Sequence, residues 1–145
     1  MSILRGVLQR LSFGEWLNDE DVNAFVDLVN AEAPQTFAFT SYFFTKLEKL
    51  RKDGTYSFEM MQRWAKKLGL RNRTNILVPI NIEERHWLLV NVNMRTSTIE
   101  VIDSTSITEE AALDLVASVI QFLEDYSLAV PGAGTLGPSV TTTSE

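Results

Sequence analysis

The apolar positions of this chain repeat first at the spacing of helices and then, midway, at the spacing of strands. Leu4, Val7, Leu8 and Leu11 share one helical face before Gly14 interrupts it. Val22, Phe25, Val26 and Val29 make a second stripe. Asn18 reads as its N-cap, with Asp19, Glu20 and Asp21 in the first turn, where the helix dipole favours negative charge. Pro34 disfavours helix at the residue before it, so this helix should end near Ala33. From Thr36 to Leu50, Phe39, Tyr42, Phe43, Leu47 and Leu50 again recur at helical spacing, and Lys52-Asp53-Gly54 closes the run. Phe58, Met61, Trp64, Ala65 and Leu68 predict a further helix over Ser57–Leu68.

Beyond Asn75 the period becomes 2. Ile76, Val78, Ile80 and Ile82 alternate along one strand, and His86–Asn93 and Thr98–Asp103 read as two more. Glu83-Glu84-Arg85 and Met94-Arg95-Thr96-Ser97 are polar enough to be the hairpin connections. Closing the second hairpin around Arg95-Thr96 sets Asn93 opposite Thr98, Val90 opposite Val101 and Leu88 opposite Asp103. Ser106-x-x-Glu109 is a capping box, opening a helix that runs to about Tyr126. Leu113, Val116, Ile120 and Leu123 line one of its faces and Leu115, Val119 and Phe122 the next. Residues 128–145, rich in Gly, Pro, Ser and Thr, read as a disordered tail. The pattern predicts an α+β domain over residues 1–127, with helices flanking a small, mainly antiparallel sheet.

Composition narrows the function classes. A length of 145 residues suits one domain with a genuine core. The net charge of −6 gives no global pull toward nucleic acid. Nine of the thirteen basic residues do lie between Lys46 and Arg73. They read as the solvated face of two amphipathic helices, because no exposed aromatic platform accompanies them. The chain has no cysteine, which excludes disulfides and thiolate metal sites and fits a reducing compartment. No N-terminal apolar run is long enough for a signal peptide or a membrane span. The expectation is an intracellular protein, nuclear or cytoplasmic, with no metal, cofactor, nucleic acid or membrane partner.

The candidate chemistry lies in the strands. His86 is the only histidine. In the register above it shares a face with Asp103 and stands diagonal to it, within roughly 7 Å between Cβ atoms. A histidine held by an aspartate is an oriented general base. A one-residue slip would move Asp103 to the face of Trp87 instead. The same residues also read as an edge histidine and a strand-end aspartate.

With GEWLNDEDVNAFVDLV at 14–29, FFTKL at Phe43–Leu47, RW-x-KK at Arg63–Lys67, Pro79-Ile80, His86-Trp87 and Asp103-Ser104, the chain resembles the SUMO or sentrin proteases. These are cysteine proteases specific for ubiquitin-like proteins. The resemblance runs from about Leu11 to Ile120 and implies part of a papain-like, adenain-type fold. It implies that His86 is the base for a thiolate and that Asp103 orients it. Trp16, which from the residues alone reads as a staple on the helix start, would with Trp87 form a tunnel around a Gly-Gly tail. Asp19 would contact the body of the ubiquitin-like modifier. The bond cleaved would follow the second glycine.

The family's nucleophile block, a Cys within Asp-Cys-Gly preceded by a Gln, does not occur in this sequence. The resemblance therefore implies a protease domain truncated before its nucleophile and inactive alone. The other readings are a pseudoprotease that binds a modifier without cutting it, and a scaffold with neither activity. The family's missing segment packs on the sheet. Leu88, Val90, Val101 and the second stripe of the last helix are therefore expected to be exposed, or covered by a partner.

Overall fold

The computed structural model describes residues 19–68, 74–82, 86–103, 109–129 and 139–144. In chain order they form α1 (Asp19–Glu32), β1 (Thr36–Ala38), α2 (Ser41–Lys52), a 3-10 turn (Phe58–Met61), α3 (Gln62–Leu68), β2 (Asn75–Ile82), β3 (His86–Asn93), β4 (Thr98–Asp103), α4 (Glu109–Ala129) and β5 (Ser139–Ser144). The strands make one sheet in the order β1-β2-β3-β4-β5. The three strands expected from the period-2 stretch are its antiparallel centre. The predicted register holds, with Asn93 opposite Thr98 and Val90 opposite Val101.

Both edge strands join in parallel, and neither was legible as a strand. Thr36–Ala38, read above as the start of a helix, is β1, and α2 begins only at Ser41. Three residues carry too little periodicity to oppose the helical pattern that follows them. The expectation of a disordered tail is corrected for Ser139–Ser144, whose backbone pairs with β4 at six positions from Thr98↔Ser139 to Asp103↔Ser144. Backbone pairing needs no apolar pattern, so a Ser/Thr-rich segment can satisfy it.

Alternation along the strands divides the core in two. Ile76, Val78 and Ile80 of β2, Leu88, Val90 and Val92 of β3, and Ile99 and Val101 of β4 face α2, α3 and α4. On the opposite face Ala38, Leu77, Leu89 and Ile102 pack with Val26 and Val29 of α1. On the larger side, Phe122 of α4 lies 5.0 Å between ring centroids from Phe43 and 6.1 Å from Phe39, which stacks on Phe43 at 3.8 Å.

This packing corrects the expectation of exposed sheet. Leu88, Val90 and Val101 are fully buried, as are Val119 and Phe122 of the second stripe of α4. The reason is that α4 lies with α2 and α3 on this face of the sheet. Leu113, expected on the first buried face, is instead 46% exposed.

Local chemistry fixes the ends of these elements. After α2, Gly54 takes φ +71°, Thr55 N–H donates to Leu50 C=O at 2.9 Å, and Gly54 N–H to Arg51 C=O at 3.2 Å. That is a Schellman C-cap, in which the residue at Gly54's position must be left-handed. In the β3–β4 hairpin, Asn93 Oδ1 accepts from Arg95 N–H at 3.0 Å and Thr96 N–H at 3.1 Å, and Ser97 sits at φ 55°. Asparagine's short amide holds the turn by bonding the backbone just ahead of it.

Candidate functional site at one end of the sheet

β2 ends and β3 begins at the same edge of the sheet, since Ile82 is the register partner of His86. β4 ends there too. Carrying the register one step past Leu89↔Ile102 sets Leu88 level with Asp103. By alternation, positions 86 and 103 then share the face of Leu88, Val90 and Val101, and position 87 belongs to the face of Leu89 and α1. The backbone thus brings the two positions to one end of one face. The side chains of His86 and Asp103 lie outside the described residues, as do Trp16, Asn18 and Ser106. Trp87 is buried at 7% exposure, opposite Asn81 in register.

Pro79 explains how β2 reaches this end alone. Phe39 N–H donates to Leu77 C=O at 3.0 Å, so the polar groups of residue 77 point toward β1, and those of residue 79 must do the same. β1 has ended by then, and the missing N–H of proline leaves no ladder bond unmade.

Asp19 reaches the same end by a different route. β1 runs parallel to β2, so Thr40 and Ser41 lie beyond its C-terminal end, toward Ile82 and His86. Three side chains of α1 dock that helix on this segment. Asn30 Oδ1 accepts from Ala38 N–H at 2.8 Å and its Nδ2 donates to Ala38 C=O at 2.9 Å. Asn23 Oδ1 accepts from Ser41 N–H at 2.8 Å, and Asp19 Oδ1 accepts from Ser41 Oγ–H at 2.8 Å. Asn30 takes up the outer backbone groups of β1, and Asn23 caps α2 in place of Thr40, whose side chain makes no cap bond. The α1 N-terminus is therefore anchored where β2 and β4 end and β3 begins.

Sequence reasoning missed Asn23 and Asn30. Their signal is present nonetheless: two poor helix formers seven residues apart lie beside the buried Val22, Val26 and Val29 stripe.

The other end of α2 carries different polar contacts. Arg51 Nη1 donates to Ser118 Oγ at 2.7 Å, and Tyr56 Oη–H to Asp125 Oδ2 at 2.7 Å. Burial, then the Asp125 carboxylate, pushes the Tyr56 hydroxyl well above the usual phenol range, while Arg51 pulls weakly the other way. These bonds tie α2 and the turn after it to α4. Among the described residues no cluster of three or more His, Cys, Asp or Glu is placed to hold a metal ion, and no helix is long and apolar enough to cross a membrane.

The chain is 37% identical over 89 residues to sentrin-specific protease 3 of Mus musculus, covering 61% of this chain and 15% of that protein. It is 30% identical over 132 residues to sentrin-specific protease 2 of Homo sapiens, covering 88% and 21%. Ubiquitin-like-specific protease 1 of Saccharomyces cerevisiae matches at 32% over 93 residues, covering 63% and 14%. The chain thus spans about a fifth or less of the length of these relatives. Among solved structures, the fold matches SUMO protease Ulp1 with its catalytic cysteine oxidised to a sulfinic acid. The TM-score is 0.74 at 22% identity, over 95% of this chain and 61% of that one. It also matches the C-terminal Ulp1 protease domain in complex with Smt3, the yeast ortholog of SUMO, with a TM-score of 0.73 at 22% identity and the same coverage. At these identities the likeness speaks for the fold. The family match is direct: over residues 15–129 the sequence fits the C-terminal catalytic domain of the Ulp1 protease family, and the chain belongs to that family.

Proposed function

We propose that these 145 residues are the recognition-and-base part of a SUMO-type cysteine protease domain and do not cleave by themselves. The observation that carries this reading is a catalytic-domain match over residues 15–129 in a chain with no cysteine. The relatives are sentrin- or ubiquitin-like-specific proteases, and one solved relative holds Smt3. The same chemistry read onto this chain makes a ubiquitin-like modifier ending in Gly-Gly its partner. The family's compartment, intracellular in this reading, agrees with the cysteine-free composition.

In the reaction, His86 would take the proton from a thiol, with Asp103 holding the imidazole in the productive orientation. The thiolate would then attack the carbonyl of the second glycine, and the imidazolium would return the proton to the leaving amine. Trp16 and Trp87 would flank the Gly-Gly tail, where a Cβ would collide with an indole. Asp19 would meet the body of the modifier. The thiolate must come from outside these residues, and without it the covalent route is closed.

Two measurements test the proposal. Incubated with the Smt3 precursor, the purified chain should give no cleavage after Gly-Gly above a no-enzyme control, and turnover free of contaminating protease would refute the inactive reading. Titrated in NMR with Smt3 ending in Gly-Gly, it should bind more tightly than with Smt3 lacking that tail. Equal responses, or none, would remove the tunnel from the proposal.

A further inference from the structure

We propose that Ser41 is a positioning residue, which fixes the Asp19 carboxylate as a preformed acceptor for a cationic side chain on the modifier. This inference rests on the reading of Asp19 as a contact to the modifier body. What the structure adds is a reason for Asp19 to be selective.

Ser41 is 4% exposed, and all three of its polar groups are committed. Its N–H donates to Asn23 Oδ1 at 2.8 Å, its C=O accepts from Thr45 Oγ1–H at 3.3 Å, and its Oγ–H donates to Asp19 Oδ1 at 2.8 Å. The bond to Asp19 is the one side-chain hydrogen bond that Ser41 makes among the described residues. Asp19, by contrast, is exposed at the first position of α1. Held through Oδ1, its carboxylate keeps Oδ2 free of hydrogen bonds among the described residues and turned by the same contact. An ionised carboxylate accepts at both oxygens, so one bond to a neutral hydroxyl leaves its charge and most of its acceptor capacity for a partner.

A free aspartate at a helix start would have to be ordered on binding. Aspartate has only two side-chain torsions, so ordering it weakens association by about two- to threefold, the low end for an immobilised side chain. The Ser41 bond removes that loss in advance. The chemistry that matches a fixed, exposed carboxylate is a guanidinium or ammonium group, met by charge-assisted hydrogen bonds. Capping α2 alone does not account for the bond, because Asn23 already satisfies the Ser41 N–H.

The test is a double-mutant cycle on the full chain, titrated with Smt3 at low and moderate salt, with the melting temperature of each variant measured alongside. Asp19→Asn should weaken binding by about tenfold at low salt and flatten its salt dependence. Ser41→Ala should weaken it by about two- to threefold, and Ser41→Thr, which keeps the hydroxyl, should restore it. In the Asp19→Asn background, Ser41→Ala should have no further effect on binding, whatever it does to melting. A Ser41→Ala affinity equal to wild type, with Asp19→Asn weakened, overturns the positioning role and leaves the proposed function standing. An additive Ser41→Ala effect in the Asp19→Asn background also overturns it, as the signature of a merely structural residue. No Smt3 binding by the wild-type chain, or none lost in Asp19→Asn, defeats the reading of Asp19 and this inference with it.

Discussion

Tyr56 shows how one contact between elements becomes a pH dependence. Its hydroxyl is raised above the ordinary phenol value of about 10 by burial and by Asp125. A raised value means that the folded chain holds this proton more tightly than the unfolded one. The resulting stabilisation is complete below about pH 10 and is lost as pH rises through the folded value. Wild type should therefore lose stability more steeply than Tyr56→Phe as pH rises above about 10, as read from urea midpoints. Parallel profiles would show that the Asp125 contact contributes nothing to the alkaline limit.

At the scale of elements, the question is how a three-residue strand survives at the edge of a sheet. β1 pairs with β2 at only three positions, and an open outer edge would invite further pairing. Asn30 closes it by presenting one donor and one acceptor to Ala38, as a neighbouring strand would. Asn30→Ala should destabilise the domain by about 2 kcal/mol, since two backbone groups lose partners worth about 1 kcal/mol each. Asn30→Asp should fall below wild type too, because it keeps the acceptor but sets a carboxylate against the Ala38 carbonyl. Urea unfolding decides this, and a loss under about 0.5 kcal/mol would mean that water replaces the amide without penalty. The same bonds hold α1 against β1, so the site end of the sheet inherits their stability.

For the whole molecule, the two-sided core sets the expectation. Both faces of the sheet carry buried residues under helices, and among the described residues the large exposed apolar ones are spread over α1, α2, the 3-10 turn and α4. The purified chain should therefore unfold in one cooperative transition and bind little apolar-surface dye before it melts. Strong dye binding in the native state, or a broad transition with association in light scattering, would mean that α4 does not close the core on its own. That outcome would return Leu88, Val90 and Val101 to the exposed state first expected of them.

The sequence by itself determined the antiparallel centre, the hairpin register and most of each helix stripe, with Tyr42 and Leu113 the exposed exceptions. It could do so because a period of 2 or 3.6 selects a face locally, and a one-residue slip would bury the wrong residues. It carried the positions of His86 and Asp103 to one face for the same reason, and the motif order carried the family. Three things were decided only by the tertiary structure. β1 and β5 exist through pairing to strands distant in sequence, which leaves no local pattern in Thr36–Ala38 or Ser139–Ser144. Burial of Leu88, Val90 and Val101 depends on α4 crossing the sheet with α2 and α3, a matter of which helix covers which face. The Asn23, Asn30 and Asp19 anchors depend on α1 docking antiparallel to β1, because a polar side chain in a helix acquires its meaning from the backbone that the fold sets in front of it.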